Sequence, residues 1–196
     1  TSVYVLNCLF ISITSESNGG ALSCTSVQYL LVESSSFFSC KTSDNNGGAI
    51  YFQNANNGQS VLHEVCGYDC FTTYTGTYNT HSQFAWVQVN NAATSKNYAN
   101  YSSISRCMTD KSNSYYILYL SLGKSYCPSI NMSMNKCFSR IILCDPYGDP
   151  NNIISSLSYS TFADNIATGY TCIWLNRAGA KFEIKSCNIL RNTQGT

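Results

Sequence analysis

Short apolar runs punctuated by Gly, Asn and Ser follow one another along the whole chain, and no helical periodicity links them. Six of them read as strands: GGALSC at 19–24, GGAIYF at 47–52, FAWVQV at 84–89, YYILYLSL at 115–122, RIILC at 140–144 and YTCIWLN at 170–176. They are too short for helices and carry the aromatic and β-branched character of strands. A second signature recurs between them: an apolar residue, two residues, Cys or Ser, one residue, and another apolar residue. It spans 5–10, 104–107, 134–137, 157–162 and 184–189, and more loosely 63–68. Its small position runs Cys8, Ser36, Cys66, Cys107, Cys137, Ser160, Cys187, in similar steps except for the long one from Cys66 to Cys107. Aligning the two GGA segments sets Cys8 under Ser36, Leu9 under Phe37 and Phe10 under Phe38.

A period of roughly 20 to 50 residues marks a solenoid, a propeller or a repeat array. A propeller blade needs roughly 40 residues and four strands, more than most of these intervals hold. A sandwich needs no common column of residue types, whereas stacked coils place equivalent residues about 4.8 Å apart, so that each column favours one type. The small column beside an apolar one therefore predicts an all-β solenoid of about seven coils, with one long loop insertion near residues 71–83. The pairs Gly19 and Gly20, and Gly47 and Gly48, read as sharp corners feeding a strand.

The combination of GGAL and GGAI with Phe162, Ala163, Asp164 and Asn165 resembles the GGA[ILV] and FxxN repeats of polymorphic membrane protein (Pmp)-like surface proteins, and Ile189 to Asn192 is a relaxed copy. The resemblance implies a right-handed parallel β-helix, similar in shape to the pectate lyases, and an adhesive role. Coils three to five depart from it, with THSQFAWV and KSNSYYIL where the glycines would stand.

Only 11% of the 196 residues are charged, against roughly 25% in an average soluble domain, and the net charge is +1. A polar but uncharged surface without a Lys/Arg cluster argues against nucleic acid and anionic membranes as partners. We expect one β-helix domain over 1–196 that belongs to a longer solenoid, with any membrane anchor outside this chain, and an extracellular or cell-surface setting. Asn100 and Asn131 begin two N-glycosylation sequons.

The eleven cysteines contain no CxxC pair. Cys66, Cys70 and His63 form no strong zinc pattern, so no metal and no cofactor is expected. We read the cysteines first as small apolar fillers of a narrow core, interchangeable with Ser36 and Ser160. The alternative is disulfides between column neighbours, Cys107 with Cys137 and Cys40 with Cys70.

For function the sequence favours a non-enzymatic surface protein that presents loops for adhesion or assembles into a filament or coat. Its partners would be other protein chains or host and extracellular glycans, with self-association possible through open β-helix ends. The Tyr- and Thr-rich insertion supplies Tyr74, Tyr78 and His81 as candidate contacts, while Trp86 is assigned to the core. The alternative is a polysaccharide lyase or hydrolase, which needs clustered carboxylates. Glu64, Asp69 and Asp110 are the acids that stacking could bring together, whereas Asp145 and Asp149 flank a turn. No catalytic residue is assigned.

Overall fold

Short strands with one apolar face cannot bury that face alone, and equivalents arriving at near-constant intervals pair best with each other. A computed structural model describes residues 1–43, 46–54, 56, 58–74, 81–108, 115–148, 154–176 and 179–194. The chain winds into a parallel β-helix of six complete coils, and three strands of a seventh follow. Every strand pair is parallel, and each strand pairs with its equivalent one coil away.

Three long sheets form the walls. The first contains Ser2–Leu6, Tyr29–Glu33, Gln59–His63, Lys96–Asn100, Lys124–Pro128, Ile154–Ser158 and Lys181–Lys185. The second contains Leu9–Ile11, Ser36–Phe38, Cys66–Tyr68, Ser103–Ser105, Asn131–Ser133, Thr161–Ala163 and Asn188–Leu190. The third contains Leu22–Cys24, Ile50–Gln53, Ser82–Gln88, Tyr116–Ser121, Arg140–Asp145 and Ile173–Leu175, matching the six strands read from the sequence. Two short three-stranded sheets line the turn between the second and third walls.

The register corrects the expected column by one residue. Phe10 pairs with Phe37, not Phe38, and Leu9 with Ser36. The step from Phe10 to Phe37 is one residue shorter than the step from Gly19 to Gly47, and the connection before the glycines takes up the difference. A one-residue slip exchanges the inner and outer faces, so the small column divides. Cys8, Ser160 and Cys187 share a corner column with Ser35, Val65, Ser102 and Ile130. Ser36 and Cys66 stand on the outside of the second sheet, while Cys107 and Cys137 fall at two further positions.

The apolar interior is built from stacked columns. Val5, Val32, Leu62, Ala99, Cys127 and Leu157 line the first sheet, and Phe10, Phe37, Ile104, Met132 and Phe162 line the second. Gly67 occupies the same column in the third coil, and a Cβ there would lie 2.4 Å from the Phe84 ring, which fills the gap from the far wall. Phe84 meets Phe37 edge-on at 6.1 Å.

The two corners that flank the second sheet are made by non-glycine residues in the left-handed region. Asn7, Ser34, Glu64, Tyr101, Ser129, Tyr159 and Ser186 form one, and Ser12, Ser39, Asp69, Arg106, Met134, Asp164 and Arg191 the other, all with φ between 47° and 56°. That conformation costs a non-glycine residue roughly 1–2 kcal/mol. In the first six coils the corner N–H donates to a carbonyl of the next coil, as from Ser34 to His63 at 3.0 Å. The two glycine pairs serve the third corner in the first two coils. Gly19 and Gly47 have φ of 76° and 68°, and a Cβ on Gly48 would stand 2.1 Å from the Gln83 carbonyl oxygen.

Just after the second sheet, Asn135, Asn165 and Asn192 stack as a ladder. The Asn165 side chain accepts the Asn135 backbone N–H at 3.0 Å and donates to the Met132 carbonyl at 2.8 Å. Asn135 donates likewise to Ile104, and Asn192 to Phe162. Cys40 and Cys70 continue the column upward and point their thiols at Phe10 and Phe37, the equivalent carbonyls. The ladder position is therefore Ile13 in the first coil, Cys in the next three and Asn in the last three.

Asn165→Ala strands two buried N–H groups of Asn135, the backbone N–H and one of its two side-chain amide N–H groups, the other staying on the Ile104 carbonyl, and each such loss costs about 1–3 kcal/mol. We expect a loss of about 3 kcal/mol in urea unfolding. Gly48→Ala, which drives a methyl into backbone, should cost at least as much, and a midpoint shift near zero for either variant would contradict this account of the corner.

Candidate functional site

Alternation along the third sheet sends one residue in two outward. Its central outward column is Ser23, Tyr51, Trp86, Tyr119, Leu143 and Trp174, all register partners. Stacking sets Trp86 4.1 Å from Tyr119 of the next coil, and within that strand Tyr119 lies 5.2 Å from Tyr116 with their planes 17° apart. Tyr51, Trp86, Tyr116 and Leu143 form a second buried cluster, against which Tyr115, Tyr119 and Trp174 pack half-exposed. Trp86 is thus buried as expected, but in this outer layer and not in the interior.

Beside the rings runs a polar outer column of Gln53, Gln88, Ser121 and Asp145. The Tyr51 hydroxyl hydrogen-bonds Gln53, and Gln53 Nε2 donates to Gln88 Oε1 at 3.4 Å. At the first two coils this column opens into a polar cleft of about 470 Å³ lined by Thr25, Ser26, Gln53, Asn54 and Asn56. At the other end stands Arg140, whose guanidinium lies 3.6 Å from the Trp174 ring centroid and 4.8 Å from that of Tyr170. Burial raises the Tyr116 phenol above its ordinary value, against the opposing pull of Arg140 beside it.

The candidate contact residues of the insertion fall elsewhere. His81 is fully buried, with the Tyr74 ring edge-on at 4.6 Å, and its carbonyl accepts the Tyr115 and Tyr116 N–H groups. It acts as packing at the entry to the third sheet, while Tyr74 is half-buried. Tyr78 lies outside the described residues.

Glu64 and Asp69 stand at opposite corners of the second sheet. Each accepts a hydrogen bond from a serine of the coil above, Ser34 to Glu64 and Ser39 to Asp69, both at 2.7 Å. Asp110 and Asp149 lie outside the described residues. Asp164 is held by Arg191 through a two-point fork of 2.7 and 2.8 Å, which keeps its carboxyl below the usual range. Among the described residues no three His, Cys, Asp or Glu side chains gather as a metal site.

All eleven cysteines are thiols in this structure. Cys40, Cys70 and Cys107 stack in one column, so Cys40 and Cys70 are neighbours as expected. Cys107 instead faces Asn135, whose Oδ1 accepts its backbone N–H, and Cys137 stands two positions farther along. The neighbouring thiol of Cys70 and then burial push Cys40 far above the ordinary thiol range. Burial does the same to Cys137 and pushes Cys172 up to about 12.

The chain matches no family model, no curated protein and no solved structure. The site is therefore defined by its own geometry. The outward aromatic column is hidden in the linear sequence because its members are dispersed from Tyr51 to Trp174, one to a coil. The recoverable signal is the alternation within FAWVQV and YYILYLSL, each of which carries an aromatic where a solvated face would place a polar residue.

Thiol accessibility tests the packing. Iodoacetamide at about pH 8 should label exposed Cys8 and Cys66 in the native protein and spare Cys40, Cys70 and Cys137 until it unfolds. Because the folded thiols hold their protons to higher pH than the unfolded chain, stability is full below about pH 8.5, where free thiols begin to ionise. The urea midpoint should then fall as the pH rises from about 9 to 11; a flat profile would contradict the burial described.

Proposed function

We propose that this chain is a non-enzymatic, exported structural β-helix of adhesin-like type, which presents the half-exposed rings Tyr115, Tyr119 and Trp174 of the outer layer of its third sheet, with the amide column beside them, for adhesion or assembly. Its partners are other protein chains or extracellular glycans, and any membrane attachment is through an anchor outside this chain. The observation that carries the reading is the outer layer itself: a wall already sealed on its inner face by the core carries a second layer of Tyr and Trp on the outside. Aromatic residues with Arg are the composition of interaction surfaces. Glu64 and Asp69 stand at different corners, each hydrogen-bonded to a serine, which supports a binding role over polysaccharide cleavage.

The sequons support the same face. Asn131 is exposed on the second sheet, and Asn100 ends a strand of the first. Glycans there would leave the third sheet clear. The Ser102 hydroxyl accepts the Val65 N–H and donates to Asn100 O, so that sequon is locked into the corner ladder once folded. Expressed through a secretory pathway, the chain is expected to carry glycan on Asn131 at higher occupancy than on Asn100, read by peptide mass mapping.

Adhesion is tested by immobilising the protein and measuring retention on extracellular-matrix proteins and a glycan array, alongside incubation with polygalacturonate and hyaluronan. Saturable retention that weakens at least tenfold in Trp174→Ala, with no new reducing ends, is the expected result. Release of reducing ends or of unsaturated products would replace the reading with a polysaccharide-cleaving enzyme.

A further inference from the structure

Within the outer layer, Arg140 is the feature that packing does not account for. Its guanidinium is enclosed by rings, 3.6 Å from the centroid of Trp174, 4.8 Å from Tyr170 and 5.8 Å from Tyr116. Nη1 donates to Ser139 Oγ at 2.7 Å. Nε is buried and has no acceptor, and among the described residues no carboxylate pairs with Arg140. A buried donor left unsatisfied is costly, and more so when charged. The complete arrangement occurs in the same protein, where Arg191 Nε and Nη2 grip both oxygens of Asp164.

We propose that Arg140 is the anchor of a docking site for an acidic–apolar peptide segment of a partner protein, with one Asp or Glu carboxylate taking the Nε edge and flanking apolar side chains resting on Tyr170 and Trp174. The proposal rests on the adhesive reading above and names the chemistry of its partner. Charge complementarity identifies the carboxylate: with Nη1 given to Ser139 Oγ, the guanidinium keeps its Nε donor for a carboxylate oxygen. The surroundings identify the rest of the ligand. Phe138 lies edge-on to both Tyr115 and Tyr170, so among the described residues the immediate wall is rings, which suits flanking apolar side chains. Because Nε is buried, a ligand reaches it only when a covering ring moves, and Tyr170, 4.8 Å from the guanidinium, stands 43% exposed on an irregular turn outside any strand.

The test uses the whole chain and two capped peptides, one with a glutamate between leucine and phenylalanine and one with glutamine in its place. Proton–nitrogen spectra follow the Arg140 Nε–H signal, assigned by its loss in Arg140→Lys. We expect the glutamate peptide to bind at least tenfold more tightly than the glutamine peptide, to shift that signal, and to lose its advantage in Arg140→Gln and in high salt. Equal affinity for the two peptides, or an unmoved Nε–H signal at millimolar peptide, overturns the site. A preference for an oligouronate over the glutamate peptide overturns the peptide as occupant. The peptide comparison is made on the unaltered chain, so it stands even where a variant fails to fold. Surface retention that persists in Arg140→Gln and under excess peptide would sink this site while leaving the adhesive reading intact; peptide binding without surface retention would do the reverse.

Discussion

Everything in this molecule depends on the in-register hydrogen bond between one coil and the next. Fourteen corner residues sit in a backbone conformation that costs each of them roughly 1–2 kcal/mol. None is glycine, so the cost is not relieved locally. In the first six coils it is offset because the corner N–H points along the helix axis into a carbonyl of the neighbouring coil, which presents the same strained corner at the same height. A coil on its own would have the strain without the bond. Stability therefore belongs to the stack, as in other one-dimensional repeat folds.

The same constraint explains why polar side chains are admitted to the interior. The corners leave backbone donors and acceptors that the strand ladders do not use, and a buried one must find a partner. Serine at 35, 102 and 160 captures the N–H of the coil above, and asparagine at 135 and 165 does so at the second corner while donating its amide to another carbonyl. Cysteine at 40 and 70 occupies the asparagine column and addresses the same carbonyls with a weaker donor. The cysteine abundance thus has two origins, core filling and substitution for asparagine at a ladder position.

With the interior closed, the outward faces are left to carry recognition, and they differ. The second sheet turns hydroxyls and amides outward along Ser36, Ser103, Asn131 and Thr161, and beside them it exposes Leu9, Ile11, Phe38 and Tyr68, with Arg106 over the Tyr68 ring. The third sheet holds a second layer of rings with one arginine whose charge meets no carboxylate among the described residues. The other walls also expose rings, and what sets the third apart is a continuous packed layer of them with Arg140 among Tyr116, Tyr170 and Trp174.

The period, the strand class and the six strands of the third sheet were legible in the sequence, because a stacked coil imposes its spacing and apolar alternation directly on the chain. The glycine corner was legible for the same reason: at Gly48 the backbone approach tolerates no side chain. The FxxN motif pointed to the asparagine ladder without revealing that Cys40 and Cys70 belong to it. What only the tertiary structure decided was the register, the left-handed corners and the outer surface. Register rests on one-residue differences between coils that the intervening turns absorb, and one residue exchanges inside for outside. The corners use ordinary Ser, Tyr, Asp and Arg whose conformation is set by a neighbour a whole coil away along the chain. The aromatic wall and the Arg140 site are assembled from single residues of successive coils, so their chemistry exists only where stacking brings those residues to within one ring's width of each other.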